Sequence, residues 1–362
     1  MGATGEQRGQ TARVAGMARA YAPAPDHKLA SLADAKCWRW YRHEQSGGLT
    51  RGEMPGTGRI HMQLGMIGLG RMGANMAQRL VRGGHAVTGF DPVPEARARL
   101  EADGIATADS LEALVALLSA PRALWIMVPA GEAVDATIDA LRPLLSAGDV
   151  LVDGGNSFYR DSQRRAQALR TSDITYLDVG TSGGVWGLDE GYCLMVGGHA
   201  NVAARLSPLF QALAPAPDRG WGHVGPSGAG HFAKMVHNGI EYGMMQAYAE
   251  GFAILERKRE LVPDIAGLAE LWRHGSVVRS WLLDLTAQAL ADNPQLDGIA
   301  PYVPDSGEGR WTVAEAIELD VAAPVITQSL IERLRSRDGD AFADKLLSAM
   351  RNAFGGHAVK RG

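Results

Sequence analysis

A doubly wound, mostly parallel α/β sheet followed by an all-helical region is the architecture this sequence predicts. Three observations carry that reading. From Met62 onward, short apolar runs alternate with helical patterning, as a sheet covered by helices requires. The first run leads straight into a glycine turn, Gly68-Leu-Gly-Arg-Met-Gly73. Near Gly225 the short runs stop, and nearly everything beyond reads as helix.

The elements follow in order. Leu64 to Ile67 is the first strand, and 74–81 reads as the helix after the glycine turn. His85 to Phe90 is the second strand, ending at Asp91. Apolar strands follow at 123–128, 150–152, 176–179 and 193–196, with helical patterning at 111–118 and 133–145. Gly225, Gly228 and Gly230 make a hinge-like stretch, after which helices are expected at 231–257, 264–292, 311–318, 324–336 and 338–353. The expected division is a dinucleotide-binding part at 62–227 and a helical substrate and oligomerisation part at 228–362.

Residues 1–61 stand apart. They carry Gly, Pro, Arg and Gln without apolar periodicity, and Trp38, Trp40 and Tyr41 are isolated aromatics. Disorder is expected there, as in an extension upstream of a start at Met62. The scattered arginines leave an organellar targeting peptide as an alternative, and no apolar signal-peptide core is present.

The bulk composition narrows the function. The 362 residues are 46% hydrophobic and 21% charged, with a net charge of -4 and no long basic stripe, which argues against a nucleic-acid partner. Two cysteines, Cys37 and Cys193, cannot build a disulfide framework, and no Cys/His cluster has metal-ligand spacing. No apolar run is long enough to span a membrane. A cytoplasmic protein without metal or membrane partner is expected.

The glycine turn matters because of its context: it follows a strand, opens a helix, and is trailed by an acidic residue closing the second strand. In such a fingerprint Gly68 makes the tight turn, Gly70 lets backbone approach a pyrophosphate, and Gly73 lets helix and strand pack. Asp91 can bind both ribose hydroxyls of NAD and would repel a 2′-phosphate, so NAD is favoured over NADP. Capping of the helix near Pro94 is the plainer role for Asp91. Pro92, Val93 and Pro94 follow it, and Arg97 and Arg99 lie a helical turn further on. Three further loops, Pro129-Ala-Gly131, Gly154-Gly-Asn-Ser157 and Thr181-Ser-Gly-Gly184, each follow a strand. In a parallel sheet all of them would open on one edge, where ligands bind. The expected cofactor set is Gly68, Leu69, Gly70, Arg71, Met72, Gly73, Asp91, Val128, Pro129, Ala130 and Asn156.

The strongest signal lies on the helix after the hinge. Lys234, His237, Asn238, Glu241 and Tyr242 fall at spacings of three, four, seven and eight, which is one helix face. Lys234 and Glu241 stand about 10 Å apart along the axis at ~1.5 Å rise per residue, so a small polyol could lie between them. A merely solvated face would be richer in Glu/Lys pairs.

At these residues the sequence resembles the 6-phosphogluconate dehydrogenases, decarboxylating members of the β-hydroxyacid dehydrogenase superfamily, in their short-chain form. The resemblance runs over 62–360 through KMVHNGIEY, DGGNS, SGG and the terminal Arg351 to His357 segment. It implies that Lys234 is the general base taking the C3 hydroxyl proton, and that Glu241 protonates C1 of the enediol after carbon dioxide leaves. It implies substrate contacts from Asn156, Ser182, Gly183, Gly184, His237 and Asn238, and phosphate contacts from Tyr242 and Arg333. Arg351 and His357 resemble tail residues that enter a neighbouring subunit's site, which implies a homodimer or homotetramer. Asp91-Pro-Val stands where NADP-specific members carry Asn-Arg-Thr. Ser306 stands near a family phosphate-binding lysine, with Arg310 as a possible substitute. The other readings open at this point are a non-decarboxylating enzyme of the 3-hydroxyisobutyrate type, which shares the Gly225 to Lys234 glycine pattern, and a non-catalytic NAD-sensing module.

Overall fold

The computed structural model describes residues 61–355 and 358–360. The expectation for the N-terminal extension, apart from His61, lies outside the described residues, as does His357.

Eight strands form one sheet in the order β3-β2-β1-β4-β5-β6-β7-β8. They are β1 (Gln63–Ile67), β2 (Ala86–Phe90), β3 (Ala106–Ala108), β4 (Ala123–Ile126), β5 (Val150–Asp153), β6 (Thr175–Ser182), β7 (Cys193–Gly197) and β8 (Trp221–Gly225). Strands β1 to β6 run parallel, β7 pairs antiparallel to β6, and β8 runs parallel to β7. The strand order reverses between β1 and β4, which opens the crevice of a doubly wound fold.

Both faces of the sheet are buried, which explains why its central strands read as unbroken apolar runs. Leu64, Met66, Trp125 and Val152 join the core formed with α1 (Arg71–Arg82), α2 (Pro94–Ala102), α7 (Ala200–Arg205) and α8 (Ser207–Leu213). Ile67, Leu124, Ile126 and Leu151 join the other, with α3 (Leu111–Ala116), α4 (Glu132–Leu141) and α5 (Tyr159–Leu169). The short helix α6 (Gly187–Glu190) links β6 to β7.

Past β8 comes α9 (Ala229–Glu256), 28 residues and roughly 42 Å long. It is followed by α10 (Ile265–Trp272), α11 (Trp281–Asp292), α12 (Glu308–Glu318), α13 (Pro324–Arg335) and α14 (Phe342–Gly355).

The expected architecture is the observed one, with local corrections. The stretch 264–292 is two helices rather than one. Gly275 has φ +76° between them, and the Ser280 hydroxyl accepts from the Leu283 N–H at 3.1 Å to start α11. Strands β3 and β8 have no counterpart in the apolar pattern: Ala-Thr-Ala is too short, and β8 interleaves glycine and histidine. Helix α5 was equally hidden, because its sequence is mostly polar.

Candidate active site

The loops after β1, β2, β4, β5 and β6 leave the same edge of the sheet, since those strands are parallel. Gly68 (φ +92°) turns tightly beneath the Met127 carbonyl, and a Cβ at Gly73 would lie 2.0 Å from the Gly68 carbonyl oxygen. Gly70, in contrast, is exposed, and no atom lies within 4 Å of where its Cβ would be. No side chain caps the start of α1, so open backbone N–H groups face that space. This is a cradle that a phosphate fits.

Asp91 has a structural role of its own. Its carboxylate accepts from the Leu69 N–H at 2.8 Å and from the Val93 N–H at 2.8 Å. It thereby ties the glycine loop to the end of β2. Arg97 is turned back, donating to the Asp91 carbonyl at 2.7 Å. Arg71, Pro129, Ala130 and Asn156 are exposed at the loop tips, while Leu69 is buried and Met72 and Val128 are half-buried.

The sequence reading missed what holds these loops. Asp153, buried at the end of β5, accepts from Ser157 at 2.7 Å, Tyr176 at 2.7 Å and the Gly155 N–H at 3.1 Å. Arg165, only 2% exposed, donates to Ser157 at 3.1 Å, Asp135 at 2.8 Å, the Gly131 carbonyl at 3.0 Å and Asp153 at 3.4 Å. One arginine thus joins the β4 and β5 loops. A lone acid closing an apolar strand was the available signal for Asp153.

A second missed residue seats α9. Asp178, fully buried in β6, accepts from the backbone N–H groups of Gly228 at 2.7 Å and His231 at 3.0 Å. The carboxylate supplies the cap that the helix's own N-terminus lacks. Close glycine contacts then press the helix onto the sheet: a Cβ on Gly180 would lie 2.5 Å from both the Gly230 carbonyl oxygen and the Lys234 Cβ.

Lys234 emerges from this junction 7% exposed. Burial pushes its pKa below the ordinary lysine value, against the opposing pull of Glu241, Glu308 and Cys193. Glu241, two turns on, is half-buried. Between them His237 bonds Ser182 Oγ at 3.3 Å through Nε2, while its Nδ1 meets Asn238 Oδ1 at 3.0 Å and stands 3.8 Å from Glu241. Strand β6 and helix α9 therefore share one polar wall. Ser182, Gly183, Cys193 and His237 line a cleft of about 970 Å³, with Glu270, Arg273, Trp281 and Asp284 opposite. Gly184 (φ +51°), next in the chain after Gly183, is exposed.

The tyrosine and arginine expected at a phosphate are brought together. The Arg333 guanidinium lies 3.5 Å from the centre of the Tyr242 ring, and Tyr242 OH meets Ser306 Oγ at 3.3 Å. Arg333 also donates to the Pro304 carbonyl at 2.9 Å. Arg310 pairs with Asp305, whose side chain is nearly inaccessible. Burial would raise the Asp305 pKa, but the Gly307 N–H, Arg310 and Arg337 outweigh it and hold the carboxyl below its usual range. Arg351 lies exposed on α14. Among the described residues, no group of three His, Cys, Asp or Glu side chains could hold a metal ion.

Comparison with known proteins places two family models on the chain. Residues 63–224 match the NAD binding domain of 6-phosphogluconate dehydrogenase, and residues 230–342 match the C-terminal domain of 6-phosphogluconate dehydrogenase. The NAD(+)-dependent, decarboxylating 6-phosphogluconate dehydrogenase of Haloferax volcanii is 47% identical over 301 residues, covering 83% of this chain and 99% of the relative. The Plasmodium falciparum 6-phosphogluconate dehydrogenase structure matches with a TM-score of 0.70 at 26% identity, over 84% of this chain and 66% of the parasite enzyme. Mycobacterium tuberculosis 3-hydroxyisobutyrate dehydrogenase shares the fold at 24% identity and a TM-score of 0.63, over 77% of this chain and 95% of that one.

Proposed function

The chain belongs to the 6-phosphogluconate dehydrogenase family, and from that premise we propose that it oxidatively decarboxylates 6-phospho-D-gluconate to D-ribulose 5-phosphate and carbon dioxide with reduction of NAD. The observation that carries this reading is the buried, pKa-lowered Lys234 sharing a helix face with Glu241 and with His237, which lines the cleft beside it. A sensing module needs no such base, and a non-decarboxylating enzyme needs no acid two turns from it.

In this reading Gly68 to Gly73, Asp91, Val128, Pro129, Ala130 and Asn156 hold the dinucleotide, which when bound supplies the hydride acceptor. Lys234, kept neutral more easily by its burial, takes the proton from the C3 hydroxyl as that carbon is oxidised. The C3 ketone then accepts the electron pair released when the bond to the carboxylate breaks. Glu241 delivers a proton to C1 of the resulting enediol. Ser182, Gly183, Gly184, His237 and Asn238 orient the carboxylate and hydroxyls, and Tyr242 with Arg333 receives the phosphate.

We divide the chain near residue 227, into a cofactor part and a helical part. Met244, Met245, Ile254, Val277, Trp281 and Val325 are all exposed on the helical part, apolar surface of the kind a second subunit covers. Assembly as a homo-oligomer, with Arg351 and His357 of one chain completing the site of another, fits that surface. No helix among the described residues is long and apolar enough to cross a membrane, and we assign the enzyme to the cytoplasm.

The test offers purified protein 6-phosphogluconate with NAD or NADP, following reduced cofactor and carbon dioxide together. Both should appear in equal amounts, faster with NAD. Cofactor reduction without carbon dioxide refutes decarboxylation, and equal efficiency with NADP refutes the cofactor assignment.

A further inference from the structure

Glu308 is the first residue of α12 and is 2% exposed, yet neither of its carboxylate oxygens has a hydrogen-bond partner. Buried carboxylates ordinarily find donors or a counter-charge, because the uncompensated cost is severe. Its neighbour Asp305 illustrates the rule, accepting from the Gly307 N–H and pairing with Arg310 and Arg337.

The face of α12 that carries Glu308 packs on the catalytic stretch of α9. Thr312, one turn later on that face, donates to the Met235 carbonyl at 2.8 Å, and a Cβ on Gly239 would lie 2.7 Å from its methyl group. Gly309 sits under the Tyr242 ring, where a Cβ would come within 2.6 Å. Helix α12 therefore covers residues 235 to 242, the segment just beyond Lys234. The other nearby cations are committed: Arg310 to Asp305, and Arg333 to the Tyr242 ring and the Pro304 carbonyl.

We propose that Glu308 is a positioning residue acting through Lys234, a buried negative charge that sets the pH above which the lysine serves as base. This rests on the role proposed above for Lys234. The titratable groups acting on that lysine come from three elements: Glu241 on α9, Glu308 on α12 and Cys193 on β7. All three favour the charged amine, while burial opposes them. On β6, Asp178 is occupied by the amides that start the helix. Glu308 differs from Glu241 in being sealed from solvent, so salt should screen it little.

The experiment measures kcat/KM for 6-phosphogluconate with NAD across pH in wild type, E308Q and E308D. Wild type should lose activity as pH falls, because Lys234 becomes protonated. Removing the charge at 308 lets the lysine lose its proton more readily, so the acid limb of E308Q should move to lower pH. The ratio of E308Q to wild type should rise about threefold or more from plateau to limb, whatever the plateau value. E308D keeps the charge and should keep the wild-type limb. An unmoved limb in E308Q, or an equal shift in E308D, overturns the inference and leaves the reaction standing. Absence of wild-type turnover overturns the functional reading itself. If E308Q does not fold, E308S, which leaves room for water, takes its place.

Discussion

Gly180→Ala is a one-carbon change that should separate the stability of the fold from the placement of its base. An alanine Cβ would stand 2.5 Å from the Lys234 Cβ and 2.5 Å from the Gly230 carbonyl oxygen, where ordinary contact begins near 3.4 Å. Neither atom is the free end of a flexible side chain, so strand β6 and helix α9 must part by roughly 1 Å in a close-packed interior. Overpacking of this kind costs about 1–3 kcal/mol. Misplacing a reacting group by ~1 Å costs about 100-fold in rate, so kcat should fall about that much in protein that is still folded. The KM for NAD should change little, because its loops leave other strands. The assay is steady-state formation of reduced cofactor at 25 °C, with urea unfolding run in parallel. Gly251→Ala is the control: it lies on the same helix, exposed, with no atom within 4 Å of an added Cβ. It should be neutral or stabilising by about 0.5–1 kcal/mol with unchanged kcat. A folded Gly180→Ala enzyme within about threefold of wild-type kcat would refute the claim that this contact positions the lysine.

Three further outcomes are expected. Arg165→Met strands Asp153 and unties the β4 and β5 loops; because Asp153 keeps three other donors, the cost should fall at or below the low end of ~3–5 kcal/mol, with a raised KM for NAD, and a loss below ~1 kcal/mol would contradict the hub role. Lys234→Met should abolish turnover; and since burial holds the lysine's folded pKa below its ordinary 10.5, the native state binds fewer protons than the unfolded one just below that value, so wild-type stability rises with pH there. The Tm advantage of the Met variant should therefore be larger at pH 7 than at pH 10, and the reverse order would refute the burial argument. Asp91→Ala removes two carboxylate hydrogen bonds that hold Leu69 and Val93, so kcat/KM for NAD should drop about tenfold or more; an unchanged value would show that the glycine loop holds itself.

Much of this molecule was legible in its sequence, for identifiable reasons. Strands β1, β4 and β5 are sandwiched between helix layers, so their sequences are nearly pure apolar runs, and periodicity found them. The face of α9 was legible because helix geometry converts spacing directly into neighbourhood: His237 does meet Asn238 and approach Glu241. Strands β3 and β8 escaped because they lie at the two ends of the sheet order, where an apolar run is not required. The break inside 264–292 escaped because Gly275 and the Ser280 cap carry no proline to announce it. Arg310 shows a different limit. A basic residue near an expected phosphate can be claimed by a closer acid, and only the fold reveals that Asp305 is that acid.

The residues that sequence reading missed share a physical character. Asp153, Asp178, Arg165 and Glu308 are all buried charges, at sites where composition alone argues for apolar side chains. Three of them are satisfied, and their partners show what they do: Asp153 and Arg165 hold the loops after β4 and β5, and Asp178 starts the helix that carries Lys234. Each anchors a segment that would otherwise slide over a smooth apolar sheet. Burial in a core costs a charge so much that its partners must be near-obligatory, and this makes such residues effective at fixing one geometry. Glu308 breaks the pattern, since it is buried like the others but has no hydrogen-bond partner. Where the buried charges of Asp153, Asp178 and Arg165 are all satisfied, that exception lies on the helix packed against the α9 segment just beyond Lys234. A carboxylate tied to backbone donors would have its charge largely spent on them. Left unbonded, its field remains available to Lys234.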